Sequence, residues 1–207
     1  MAKRYIFTGY RIFFGLLAFS AVVTEMATLI ERNRFVPFNF FSFFTIESNL
    51  FAVVVFMMSS LWLEQGKQEK RLAMLRGAST LYMAITGIVF SLLLSGLDVE
   101  LTAVPWDNTV LHYIMPLAVA AYWLIDPLKE RITFTQASSW LVFPIVYVLY
   151  TLIRGHFVNW YPYPFLNPNE HGYIGVAITS IAIALGAAAL VWVLTLFTGR
   201  DTAKKMR

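Results

Sequence analysis

The chain has 207 residues, 58% of them hydrophobic and only 14% charged, with no cysteine and a formal net charge of +4. A soluble domain carries about 25% charged residues, so an ordinary soluble globule is excluded, and the missing thiols exclude a disulfide frame, a thiolate metal site and a cysteine nucleophile. The small positive charge calls for no nucleic acid, because the basic residues fall at the ends of apolar runs and form no stripe interleaved with stacking aromatics.

The apolar residues gather in runs of roughly 17 to 25, the length that crosses about 30 Å of hydrocarbon as helix. The expected fold is therefore an all-α polytopic membrane protein, one domain over residues 1–207 built as a bundle of six transmembrane helices. No internal repeat and no linker is evident. The first helix is expected at about 7–30, and its run is too long for the core of a signal peptide, so it is expected to stay as a span. Its anomaly is Glu25, flanked by Thr24 and Thr28.

The second helix is expected at about 40–63, after the breaker Pro37. It opens with the segment NFFSFFTIESNLF, where Thr45, Ser48, Asn49 and Ala52 stand at i, i+3, i+4 and i+7 and share one face while Glu47 points elsewhere. Polar groups inside a bilayer are costly, and so they are a default sign of function. A basic loop leads to a third helix at about 77–97, whose Thr80, Ala84, Gly87, Ser91 and Ser95 form a small-residue face suited to close contact.

The fourth helix, about 108–125, carries His112 near its start and Pro116 four residues later. Proline has no N–H for the carbonyl at i−4, so the His112 carbonyl is expected to be free and the helix kinked. The fifth, about 137–153, contains Pro144 and leads into a stripe of Tyr147, Tyr150, Thr151 and Arg154. The segment Trp160–Tyr173, WYPYPFLNPNEHGY, reads as an ordered cap at the membrane interface, where Trp and Tyr prefer to sit. The sixth helix, about 173–197, shows a second small face of Gly175, Thr179, Ala182, Gly186 and Ala189.

Of the 16 Lys and Arg, all but Arg32, Arg34 and Arg154 fall on one side of six alternating helices, which puts both termini in the cytoplasm. That topology brings Glu25, Thr45, Ser48, Asn49, His112, Tyr150 and Arg154 to the outer half of the bilayer from four different helices.

Three segments, FFTIESN, LHYIMP and YPYPFLN followed by HGY, resemble the signature segments of bacterial six-helix membrane proteins related to the androgen-induced membrane hydrolases of animals. The resemblance spans most of the chain. It implies cleavage of fatty acid esters of hydroxy fatty acids by an intramembrane threonine and histidine, which here match Thr45 and His112. It also implies a bacterial inner (plasma) membrane location.

The residue chemistry is compatible with that implication. A threonine hydroxyl needs a base to take its proton, and neutral imidazole within about 3 Å is the usual one. Ser48 and Asn49 are local candidates to hold a tetrahedral oxyanion, with Tyr150 and Arg154 more remote. Glu25 and Glu47 are candidate supporting carboxylates, and Glu25 and Asp107 both qualify only by depth as a third member behind His112. The expected partners are membrane lipid and a lipid ester substrate, with no cofactor and no metal. Three histidines invite haem, but only His112 lies within a helix, so no facing imidazole pair is evident.

Bland readings stand beside these. Thr45 could bond back to a carbonyl of its own helix, His112 could be an interfacial residue satisfied by water, and Arg154 could be a snorkelling anchor. Each membrane carboxylate is as readily a structural hydrogen-bonding group as a functional one. The alternative function is a small lipid-binding or proton-coupled transport protein that uses the same outer-half pocket.

Overall fold

A backbone that crosses hydrocarbon must satisfy its own hydrogen bonds, and the apolar runs do so as helices. The computed structural model describes residues 2–64, 70–96 and 102–199, and among these there is no strand. Six helices are long and apolar enough to cross a membrane. They are α1 (Ala2–Glu31), α2 (Phe44–Glu64), α3 (Lys70–Leu94), α4 (Pro105–Ile125), α5 (Phe134–Val158) and α6 (Pro168–Thr195). Lys67, the expected end of the third helix at Leu97 and the basic tail from Arg200 onward lie outside the described residues.

Helices α1 to α4 pack in a ring in which α1 touches α2 and α4, while α3 touches both as well. Their shared core includes Ala18, Val22, Ile46, Phe56, Met83, Leu111 and Met115. Helix α6 lies along α3, and α5 is held against α2 and α3 largely by aromatic contacts, Phe44 with Tyr147 and Tyr82 with Phe143.

Helix α1 shows how a narrow stripe serves the ring. Arg11, Gly15, Ala18, Val22 and Glu25 recur at alternating steps of four and three and are all buried. Small residues in the middle let the backbones approach, and the two charged residues at the ends enter separate polar clusters. Arg11 bonds Ser60, Tyr122 and Thr8; Glu25 faces the far end of the bundle, where it accepts from the Ala103 N–H at 2.8 Å.

Several boundaries differ from expectation, for physical reasons. Helix α3 begins at Lys70, seven residues before the expected Gly77, because Arg76 does not lie in a loop: its guanidinium is buried and paired with Asp126. Helix α5 runs on to Val158 and contains Arg154, ending where Asn159 takes a left-handed conformation (φ 50°). Helix α6 starts at Pro168 and breaks at Gly172 (φ 66°, ψ 161°), so the expected cap spans residues 159–167, not the whole of Trp160–Tyr173.

The small faces fare unevenly. On α3, Gly87 does serve close contact, since a Cβ there would lie 2.8 Å from the Pro116 side chain, but Ser91 and Ser95 are exposed. On α6 the inward face is Val176, Ser180, Ile183, Ala187 and Val191, while Ala182, Gly186 and Ala189 point outward. Both faces of this helix are apolar, so residue size alone did not reveal which one packs.

Gly77 gives the sharpest packing test. A Cβ added there would fall 2.0 Å from the ring of Trp140, which is itself only 2% exposed. Alanine gains about 1 kcal/mol of helix propensity over glycine, but overpacking a filled core costs about 1–3 kcal/mol and sometimes more. Gly77→Ala is expected to lower the thermal midpoint of the detergent-solubilised protein. A midpoint equal to or above wild type would show that Trp140 moves aside freely.

Candidate active site

Pro37 starts a single helical turn, Pro37–Phe40, and the chain then breaks before α2 restarts at Phe44. The expected helix from Phe40 is therefore two pieces, and Thr45, Glu47, Ser48 and Asn49 stand in the first turns of α2. A first-turn N–H has no partner in its own helix. That of Thr45 donates to the phenol oxygen of Tyr163 at 3.2 Å.

The Thr45 hydroxyl does not fold back onto its own helix, as those of Ser60, Thr80 and Thr86 do. Its oxygen lies 3.1 Å from His112 Nε2 and 3.3 Å from Tyr163 Oη. His112 Nδ1 lies 3.1 Å from the Asn108 carbonyl, which only accepts, so Nδ1 carries a hydrogen. In the neutral ring Nε2 then presents its lone pair to Thr45. Neither Glu25 nor Asp107 orients the imidazole; a backbone carbonyl does.

The local fold of α4 explains that placement. Residues Val110–Ile114 form a π turn, in which each N–H reaches back five residues, as Met115 does to Val110. Pro116 has no N–H to give Leu111 in that register, and Asn49 Nδ2 bonds the Leu111 carbonyl instead, at 3.2 Å. The kink expected at Pro116 is thus absorbed as a π turn. A second π turn, Phe90–Leu94, closes α3, and its Phe90 ring stacks on His112 with centroids 4.0 Å apart. Such insertions in helices often mark functional sites.

Two spaces border Thr45, and a third shares lining residues with one of them. A polar vestibule of about 270 Å³ is bordered by Glu25, Arg34, Asn39, Thr102 and Trp160. A narrow passage of about 30 Å³ shares Glu25 and Phe43 with it and reaches Thr45, His112 and Tyr163. Beyond Thr45 and Tyr163 an apolar groove of about 70 Å³ runs between α3, α5 and α6 along Val89, Leu94, Pro144, Val148 and Ile183. Thr45 and Tyr163 border both the passage and the groove, so the hydroxyl stands where polar space turns apolar.

The remaining expected residues divide clearly. Both Asn49 amide hydrogens are spent on carbonyls, those of Thr45 and Leu111, and Ser48 is engaged with Thr86 at 2.8 Å and the Thr45 carbonyl. Neither presents a donor to the Thr45 hydroxyl. Tyr150 is 45% exposed and lies by Ser42, while Tyr147 is the buried tyrosine of that stripe. Arg154 bonds Asn39 at 2.6 Å and stacks over Trp160, at the vestibule rim and away from Thr45.

Glu25 is buried and lines both vestibule and passage. Glu47 lies off the Thr45 face, in the first turn of α2, where the positive end of the helix favours a carboxylate. Asp107 is fully buried beside Glu25. Among the described residues no three His, Cys, Asp or Glu side chains converge as a metal-ligand set.

Tyr163 was not singled out from sequence, although its segment was. Its signal is the frame Pro162-Tyr163-Pro164: a residue before proline is pushed into extended backbone, and Tyr163 adopts it (φ −135°, ψ 140°). Leu166 plugs the loop into the bundle and Phe165 stacks parallel to the Tyr163 ring. The phenol is thereby fixed over Thr45. Burial pushes it above the usual tyrosine range, so it is a protonated donor at neutral pH.

No family model, no curated protein and no solved structure matches the chain.

Proposed function

We propose that the protein is an intramembrane hydrolase of lipid esters, with Thr45 as nucleophile and His112 as general base. The observation that carries this reading is the hydrogen bond from Thr45 Oγ1 to an imidazole whose free lone pair faces it, at the junction of a polar vestibule and an apolar groove. The apolar lining of the groove suits an acyl chain, and the vestibule offers the polar side from which water would come. The likeness of the FFTIESN, LHYIMP and YPYPFLN segments to those of androgen-induced membrane hydrolases supports the same chemistry and points to fatty acid esters of hydroxy fatty acids.

In this reading Thr45 Oγ1 bonds the ester carbon as its proton passes to His112 Nε2, and the carbonyl pair moves onto oxygen. The intermediate collapses by breaking the bond to the alcohol oxygen, which takes the proton from His112. Water then adds to the acyl-threonine carbon and gives a proton to the same nitrogen. Loss of the threonine oxygen, reprotonated by His112, releases the acid.

The distribution of Lys and Arg supports placing both termini in the cytoplasm and the site in the outer half of a bacterial inner membrane. Purified protein in nanodiscs, incubated with a medium-chain ester and quenched in acid, is expected to carry an acyl group on Thr45 by peptide mass spectrometry. Turnover without any adduct on Thr45, even with slow-leaving substrates, would remove the nucleophile assignment. Binding of the ester with no turnover would favour a lipid-binding or transport protein using the same pocket.

A further inference from the structure

We infer that Tyr163 is the oxyanion donor of this site, a catalytic residue that would hydrogen-bond the oxygen developing on the ester carbon attached to Thr45. The inference rests on the ester-hydrolysis reading and adds to it a group that sequence reasoning did not single out.

Elimination and geometry converge on this phenol. A tetrahedral intermediate on Thr45 needs donors aimed near Oγ1, preorganised before the charge develops. The other candidates are spent or elsewhere: Asn49 gives both amide hydrogens to carbonyls, Thr86 donates to the Tyr82 carbonyl, Tyr147 to the Ser42 carbonyl at 2.9 Å, and Arg154, bonded to Asn39, borders neither passage nor groove. Tyr163 Oη accepts from the Thr45 N–H, so its own hydrogen is directed to another acceptor, and Thr45 Oγ1 lies 3.3 Å away. The resting chain of hydrogen bonds is then Tyr163 O–H to Thr45 Oγ1, and Thr45 O–H to His112 Nε2.

When Oγ1 attacks, its lone pair becomes the bond to carbon and ceases to accept from Tyr163. The new oxyanion lies one bond angle from Oγ1, within reach of the same phenol hydrogen. Accepting the N–H of a helix N-terminus polarises the phenol and strengthens it as a donor. The extended Pro162-Tyr163-Pro164 backbone and the stacked Phe165 hold the ring, so little rearrangement is needed as charge appears. Tyr163 also borders both passage and groove, the place an ester carbon bound to Thr45 would occupy.

Tyr163→Phe keeps the stacked ring and removes only the hydroxyl. With p-nitrophenyl octanoate in nanodiscs, kcat is expected to fall by about 10²–10³, as for loss of one oxyanion donor, with KM within about threefold of wild type and a folded, monodisperse protein. Thr45→Ala is run beside it. If wild type and Thr45→Ala turn over equally, the hydrolase reading itself falls. If turnover depends on Thr45 but Tyr163→Phe keeps kcat within about threefold, or changes KM alone, only the Tyr163 assignment falls and the residue is a helix cap or groove wall. Should Tyr163→Phe fail to fold, 3,5-difluorotyrosine at 163 decides: ionisation of its more acidic phenol is expected to add a loss of kcat on the alkaline side, and a profile equal to wild type overturns the assignment.

Discussion

Turnover of a medium-chain ester is expected to fall by about 10³-fold or more in Thr45→Ala, and by about 10²–10⁴ in His112→Gln, the range that general-base catalysis contributes. The two changes should not add. Thr45 and His112 share one hydrogen bond of 3.1 Å and act on one proton, so removing the second after the first costs little further rate. Initial rates of the two single variants and the double variant, each normalised to folded protein, check this. A double variant slower than the more damaging single one by another factor of a hundred would mean that the groups act in separate steps. Full activity in either single variant would remove it from the mechanism. His112 also stacks on Phe90, so thermal midpoints must accompany the rates to separate lost chemistry from lost packing.

At the opposite end of the bundle, Asp126→Ala is expected to cost several kcal/mol of stability while leaving the Thr45 surroundings in place. Arg76 pairs with Asp126 Oδ2 at 3.3 Å and also bonds its carbonyl, and Tyr122 donates to the same carboxylate at 2.9 Å while accepting from Arg11. Two buried guanidinium groups are thus balanced through one carboxylate and one phenol. Breaking a buried pair from one side costs about 3–5 kcal/mol, because the surviving charge is left without compensation. Asp126 is 27% exposed, which admits some water and puts the expectation at the lower end. Thermal or denaturant unfolding in one detergent, with Asp126→Asn as the milder comparison, gives the measurement. A shift under about 1 kcal/mol would mean that water, and not Asp126, balances Arg11 and Arg76.

Much of this architecture was legible because hydrocarbon imposes a coarse rule. A run long enough to cross must be helical, so the number of spans and their approximate places follow from composition. The pairing of Thr45 with His112 was anticipated from their segments. What composition hides is register. Nothing in the apolar pattern of residues 105–125 announces a π turn, because every face of that helix meets something apolar. Lys70, Arg71 and Arg76 looked like a loop because their charge was weighed without Asp126, fifty residues further along. Ser48 and Asn49 looked like donors because sequence does not reveal that their hydrogens are already taken. Tyr163 was hidden for the opposite reason, since a tyrosine in an aromatic, proline-rich loop resembles any interfacial anchor until its phenol is placed.

The two π turns have a geometric consequence. Each successive residue of an α-helix advances by about 100° around the axis, so the extra residue accommodated in Val110–Ile114 shifts the phase between the two halves of α4. Above it, Asp107 turns toward Glu25 on α1; below it, Gly87 of α3 meets Pro116. His112 sits at the seam. Helix α4 meets α1 in both halves, through Asp107 beside Glu25 and through Tyr122 with Arg11, and the shifted phase between them turns His112 to Thr45 on α2. The site occupies the place where the helix changes direction around its own axis, and that phase shift is as much a part of it as any side chain.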